Sequence, residues 1–281
     1  MKKQGMVKDG QQYVKNVQKL NQLIPLFQSE SNMQSPIVAA VQFAPTFNDV
    51  HANLKIGQQL AFEAAAKGAC LVVLPELCIS GYNLNKREAA NCAQTKKGFQ
   101  TEAFVDIARR FNTHIVFGYV ETFEGRLYNS AAIVGPTGFV ENCRKKNLWG
   151  PDNLWATASE SLSPVILTRA GRTGVLICRD VMNNFRDSYK FYKSENRFYK
   201  SGTADTIALL TAWGSDYGYP DSSWLELSEE TSANIIVSNR VGTEKDLKFK
   251  GGSAIIDRNR NVHTYGSSFT ENAVVGGYII L

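Results

Sequence analysis

From Ile37 onward the chain alternates short apolar runs with longer segments that mix apolar and polar residues at helical spacing. Ile37 to Phe43 and Cys70 to Leu74 are apolar runs of strand length, and Asn53 to Ala66 between them has helical composition. The order β, α, β continues. A helix is predicted over Thr101 to Phe111, followed by strands at His114 to Val120, Ala131 to Val134 and Val175 to Cys178. Later strands are predicted near Thr206 to Leu210, Ile235 to Val237, Ala254 to Ile256 and Val274 to Ile280, with a helix over Trp224 to Asn234. Apolar strands separated by amphipathic helices imply sheets covered by helices, hence an α/β fold.

Residues 1–36 stand apart from this pattern. Val14, Val17, Leu20 and Ile24 fall at helical spacing until Pro25 interrupts them, and Gln28 to Ser35 is polar and Ser-rich, as a linker would be. The expectation is an N-terminal extension carrying one short amphipathic helix, with the main domain over residues 37–281. The apolar stripe of that helix could pack on the domain or on a second subunit.

Composition narrows the function classes. The 281 residues are 43% hydrophobic and 20% charged, ordinary for a globular protein with a sizeable core. The formal net charge of +5 is mostly dispersed. Its densest stretches, Arg144-Lys145-Lys146 and the region from Arg186 to Lys200, match no nucleic-acid module, so no nucleic-acid partner is expected. No apolar run approaches the ~20 residues of a membrane helix and no signal-peptide segment follows the start, so a cytoplasmic protein without a membrane partner is expected. Cys70, Cys78, Cys92, Cys143 and Cys178 form an odd set with no C-x-x-C pair, which predicts free thiols rather than a disulfide framework or zinc cage.

Three segments place a reactive group directly after an apolar stretch, where α/β sheets tend to put their sites. LVVLPELCISGY (71–82) carries Glu76 at a strand exit, where partial burial should raise its pKa and make it a usable base. GVLICRD (174–180) ends a strand on Cys178, with Asp180 close behind. VENCRKKNLWG (140–150) holds three consecutive cations. Singly, these read as a solvated loop acid, a structural thiol and a solvated charge run. Together they supply what a cysteine nucleophile requires, a base and a cationic partner for the oxyanion. His51, His114 and His263 lie in unrelated contexts, so a Cys-His arrangement is poorly supported.

These segments resemble the nitrilase superfamily, whose members share a Glu, a Lys and a Cys in that order. LPELCISGY is similar to the family's Glu motif, CRKKNL to its Lys motif and LICRD to its Cys motif, which singles out Lys145 rather than Lys146. AAVQFAP (39–45), FGYVETFEGRLYNSAAIVGPTG (117–138), TAWG (211–214), NRVGTE and GGSAIID resemble further family stretches, so the likeness runs from about residue 37 to 281. Departures stand at Asn147, Cys143 and Arg179, where the family often has His, Tyr and an aromatic. The second family Glu after the Lys motif has Asp152 as its nearest counterpart.

The resemblance implies an α-β-β-α four-layer sandwich. It implies a hydrolase of non-peptide carbon-nitrogen bonds, with Cys178 as nucleophile, Glu76 as base, and Lys145 with the backbone N–H of Arg179 stabilising the oxyanion. Asp152, Arg179 and Trp213 are the candidate substrate-binding residues. No metal or organic cofactor is implied, and the expected partner is a small-molecule amide or related substrate handled by a homodimer or larger homo-oligomer. A small linear amide or N-carbamoyl compound is the first substrate expectation. A true nitrilase and a catalytically silent binding or assembly protein are the alternatives. An aromatic and basic insertion at about 183–201, with Arg186, Lys190 and Arg197, is expected to border the site mouth or a subunit interface.

Overall fold

A computed structural model describes residues 35–161, 164–181, 204–214, 222–265 and 272–279. The helix expected before Ser35 and the insertion at 183–201 lie outside these residues.

Two six-stranded sheets dominate the described residues. The first is built from β1 (Ile37–Gln42), β2 (Leu71–Val73), β3 (His114–Phe123), β4 (Arg126–Gly135), β5 (Gly138–Arg144) and β14 (Ala273–Tyr278), in the order β14-β1-β2-β3-β4-β5. The second contains β6 (Ile166–Thr168), β7 (Gly171–Ile177), β8 (Thr206–Thr211), β9 (Asn234–Asn239), β12 (Ala254–Ile256) and β13 (Val262–Tyr265), in the order β13-β12-β9-β8-β7-β6. Each sheet has three parallel strands at its centre, β1-β2-β3 and β7-β8-β9, flanked by antiparallel partners. A small ribbon of β10 (Val241–Glu244) and β11 (Leu247–Lys250) stands outside both.

Strand periodicity explains how the sheets stack. Val38 and Ala40 of β1, Leu71 and Val73 of β2, Val116 of β3, and Ala131 and Ile133 of β4 alternate along their strands and therefore share one face. They join Val175, Ile177, Leu209, Ile235 and Val237 of the second sheet in a single buried core. Outside this double layer, α1 (Val50–Ala66) and α3 (Phe99–Phe111) pack on the first sheet, where Phe104 meets Phe117 with ring centroids 4.6 Å apart. On the other side, α4 (Ser222–Thr231) packs against β9. The layers are thus α-β-β-α. No helix among the described residues is long and apolar enough to cross a membrane.

Element ends moved for local reasons. α1 begins at Val50, ahead of the apolar spacing, because the Asp49 carboxylate accepts the Ala52 N–H at 3.0 Å and caps the first turn. The helix expected through Asn234 ends at Thr231: Ser232 turns left-handed (φ 53°), and β9 begins at Asn234. Ser228 holds that exit by donating to the Ala233 carbonyl at 3.0 Å. The short α2 (Lys86–Cys92), closed by a capping box between Asn85 and Glu88, had no apolar signal to reveal it.

Candidate active site

Glu76 follows β2 by three residues, and the chain there is pressed against β3. Gly118 makes this approach possible. A Cβ at that position would lie 2.4 Å from Leu77 N, 2.7 Å from Pro75 O and 2.8 Å from Glu76 Cα. The sequence predicts partial burial for Glu76; in the structure its burial is complete. Glu76 Oε1 accepts from Lys145 Nζ at 2.7 Å and from Asn129 Nδ2 at 2.8 Å. Oε2 makes no hydrogen bond to a described residue.

Lys145 is the first residue after β5, and its backbone N–H extends the ladder to Asn129 O at 2.8 Å. Alternation along this extended segment sends neighbouring cations to opposite faces. Arg144 turns to Glu121, which binds it through Nε at 2.8 Å and Nη2 at 2.7 Å. Lys145 turns inward and is fully buried, between Glu76 and Asp152, whose Oδ2 accepts from Nζ at 2.5 Å. Lys146 is half-buried, its backbone N–H directed to Asp180. Asp152 is carried by the short 3-10 turn Gly150–Leu154, so the acid after the Lys motif does reach the ammonium.

Asn129 is the site residue that sequence reasoning missed. Its amide nitrogen donates to Glu76 at 2.8 Å and to Asp152 Oδ1 at 3.1 Å, holding the two carboxylates apart. The only available signal was its place in the YNSA stretch of the central hairpin, quoted above without a role for this residue.

Cys178 directly follows β7 and opens a 3-10 turn, Cys178–Val181. Its φ of 49° is left-handed, a conformation that a residue with a Cβ adopts at a cost of about 1 kcal/mol or more. The turn points the thiol toward the buried charges. Burial and the nearby Glu76 raise the Cys178 pKa well above the ordinary thiol value, against the lowering influence of Lys145 and of the Ala212 backbone N–H. Burial also raises the Glu76 pKa, opposed by Lys145 and reinforced by Asp152. For Lys145, burial opposes the charge, yet Asp152 and Glu76 outweigh it and raise the pKa well above the usual lysine range. At rest the site therefore holds a neutral thiol beside a carboxylate whose proton affinity is enhanced, and an ammonium that stays charged.

Several neighbours complete the walls. Tyr82 is buried, with its ring centroid 6.0 Å from Lys145 Nζ. Its backbone N–H is held at 2.8 Å by Glu244, itself paired with buried Arg240 at 2.6 Å. Asp180 accepts from Asn147 N at 2.8 Å, Lys146 N at 3.2 Å and Ile177 N at 3.1 Å, and burial pushes its carboxyl up to about 6. The remaining sequence candidates are placed differently. Arg179 is half-buried in the Cys178 turn. Trp213 lies in the core, edge-to-face on Trp224 at 5.5 Å, with its backbone N–H bound to Asn239 Oδ1 at 2.8 Å. Cys70, Cys78, Cys92 and Cys143 are buried, and burial pushes Cys78 up to about 12. No group of three or more His, Cys, Asp or Glu residues suited to a metal ion occurs among the described residues.

Comparison with known proteins finds a matching family profile, similar sequences and similar solved folds. Residues 37–186 match the profile of the carbon-nitrogen hydrolase family. A nitrilase of Pyrococcus abyssi is 31% identical over 240 residues, covering 85% of this chain and 87% of its own. An (R)-stereoselective amidase of a Pseudomonas species is 26% identical, with 78% of this chain and 77% of its own covered. Among solved structures, a Glu-to-Gln variant of the amidase from Nesterenkonia sp. AN1, with acrylamide added to its active-site cysteine, superposes with a TM-score of 0.72 at 19% identity. That superposition covers 86% of this chain and 92% of the amidase.

Proposed function

Because the chain belongs to the carbon-nitrogen hydrolase family, we propose that it cleaves a small linear amide or N-carbamoyl compound through a thioester on Cys178. The observation that carries this reading is the convergence on one buried point of a thiol, a base of raised pKa and a locked ammonium. Glu76 Oε2 takes the thiol proton as Sγ attacks the substrate carbonyl carbon. The tetrahedral oxyanion is met by the Lys145 ammonium and the backbone N–H of Arg179. Collapse expels ammonia or an amine, protonated by Glu76. Water, activated by the same carboxylate, then releases the acid and restores the thiol. Asp152 and Asn129 hold Lys145 and Glu76 in place rather than touching the reacting atoms.

A nitrile substrate is the second reading, favoured by the 31% identical Pyrococcus relative. Amides, carbamoyl amines and nitriles should be screened by ammonia release, with intact-mass analysis for an acyl adduct. The proposal expects turnover with at least one of these classes and an adduct on the peptide containing Cys178. Turnover that survives Cys178→Ala, or an adduct on another cysteine, would overturn it.

A further inference from the structure

Glu76 and Lys145 leave strands of the first sheet, whereas Cys178 leaves a strand of the second. Lys145 is fixed firmly within its own layer by Glu76, Asp152 and the Asn129 carbonyl. None of those bonds sets its distance from the nucleophile. That distance depends on what joins the segment after β5 to the turn after β7.

We propose that Asp180 is a positioning residue that sets the spacing between Lys145 and Cys178 by accepting backbone N–H groups from both of their segments at once. Its Oδ1 takes Lys146 N at 3.2 Å and Asn147 N at 2.8 Å, the two residues after the lysine. Its Oδ2 takes Ile177 N at 3.1 Å, the residue before the cysteine. The carboxylate is 1% exposed and lies in the same short turn as Cys178, so it has no slack with which to follow a moving partner. The role calls for a carboxylate, because three N–H groups converge from two directions and require acceptors on both oxygens. An asparagine would direct its NH2 at one of the two segments, placing donor against donor in a buried site.

This inference rests on the proposed roles of Cys178 and Lys145, and two probes of the thiol separate it from them. Acylation by p-nitrophenyl acetate passes through an oxyanion and needs the Lys145 segment at the correct distance. Thiolate attack on the ester carbonyl expels p-nitrophenolate, and water later releases acetate. Alkylation by iodoacetamide displaces iodide without an oxyanion and needs only Cys178 and its base. In the full chain, Asp180→Asn should slow p-nitrophenolate release about 10- to 100-fold, while alkylation stays within about threefold of wild type. Asp180→Glu keeps both acceptors but moves them by one methylene. It should show a smaller loss with the same bias toward acylation, and it decides the matter if Asp180→Asn does not fold. Wild-type acylation in both variants would overturn the proposal. So would acylation and alkylation falling in parallel, or failure of both variants to fold, each of which marks a purely structural role. Cys178→Ala is the control for the underlying reading: if it retains acylation, the site assignment itself fails, whatever the Asp180 variants do.

Discussion

Gly118→Ala tests how the base is held, without touching any group that meets substrate. The added methyl would sit 2.4 Å from Leu77 N and 2.8 Å from Glu76 Cα, where ordinary contact begins at 3.4 Å. These atoms and Pro75 O, at 2.7 Å, all belong to the backbone, so no rotamer change relieves the overlap and the Glu76 segment must recede by about 1 Å. Overpacking of this kind costs roughly 1–3 kcal/mol, and for a domain of this size each kcal/mol lowers Tm by about 2–4 °C. The same displacement opens the 2.7 Å bond between Glu76 and Lys145 and withdraws Oε2 from the thiol. A misplacement near 1 Å typically costs on the order of 100-fold in rate. The expected result is therefore a Tm lower by several degrees together with a loss of about 100-fold in kcat/KM, read by thermal unfolding and ammonia release. Gly276→Ala, whose methyl would meet only Val38 O at 3.9 Å among the described residues, should be silent in both assays. Wild-type rate and Tm in Gly118→Ala would refute the account of how Glu76 is positioned.

Lys145→Ala should abolish turnover and also destabilise the fold by about 3–5 kcal/mol, because it strands the Glu76 and Asp152 carboxylates without their counter-ion; chemical denaturation would measure this. Lys146→Ala should leave turnover within a few-fold of wild type, and equal damage from the two lysine changes would contradict their different burial. The pH profile of kcat/KM should rise as Glu76 loses its proton, with its acid limb above the ordinary carboxylate range because burial raises that pKa. Asp152→Asn removes a charge that helps to raise it and should move the limb to lower pH; an unmoved limb would assign it to another group. Iodoacetamide should inactivate and label Cys178 before the other four thiols, whereas EDTA should leave activity intact; peptide mapping and a chelator titration check these outcomes.

Much of the architecture was legible because it rests on local pattern. Apolar strands such as Leu71–Val73 and Ala254–Ile256 declare themselves by composition, and a reactive residue just beyond a strand end can be marked without tertiary information. The unread parts depend on long-range register. Asn129 lies within a predominantly apolar strand, and only the β3–β4 and β4–β5 pairings bring its amide between Glu76 and Asp152. β5 reads GFVENCR, half-polar and only partly buried, so its apolar signal is weak even though it delivers Lys145. Asp180 stood in plain view beside Cys178. Its role was hidden because two of its partners are more than thirty residues away. The left-handed φ of Cys178 likewise has no signature in composition, since the position is not glycine.

The division of the reactive groups between two layers changes what the interior is selected for. Apolar contact is non-directional, so buried area alone does not fix how one sheet sits over the other; directional bonds between the layers do, among them Ser238 Oγ to Val41 O at 2.6 Å and those accepted by Asp180. A slide of one sheet over the other would separate the thiol from its base and cation. Side chains deep between the sheets, such as Val73 and Leu209, are held to a tolerance that folding alone does not impose.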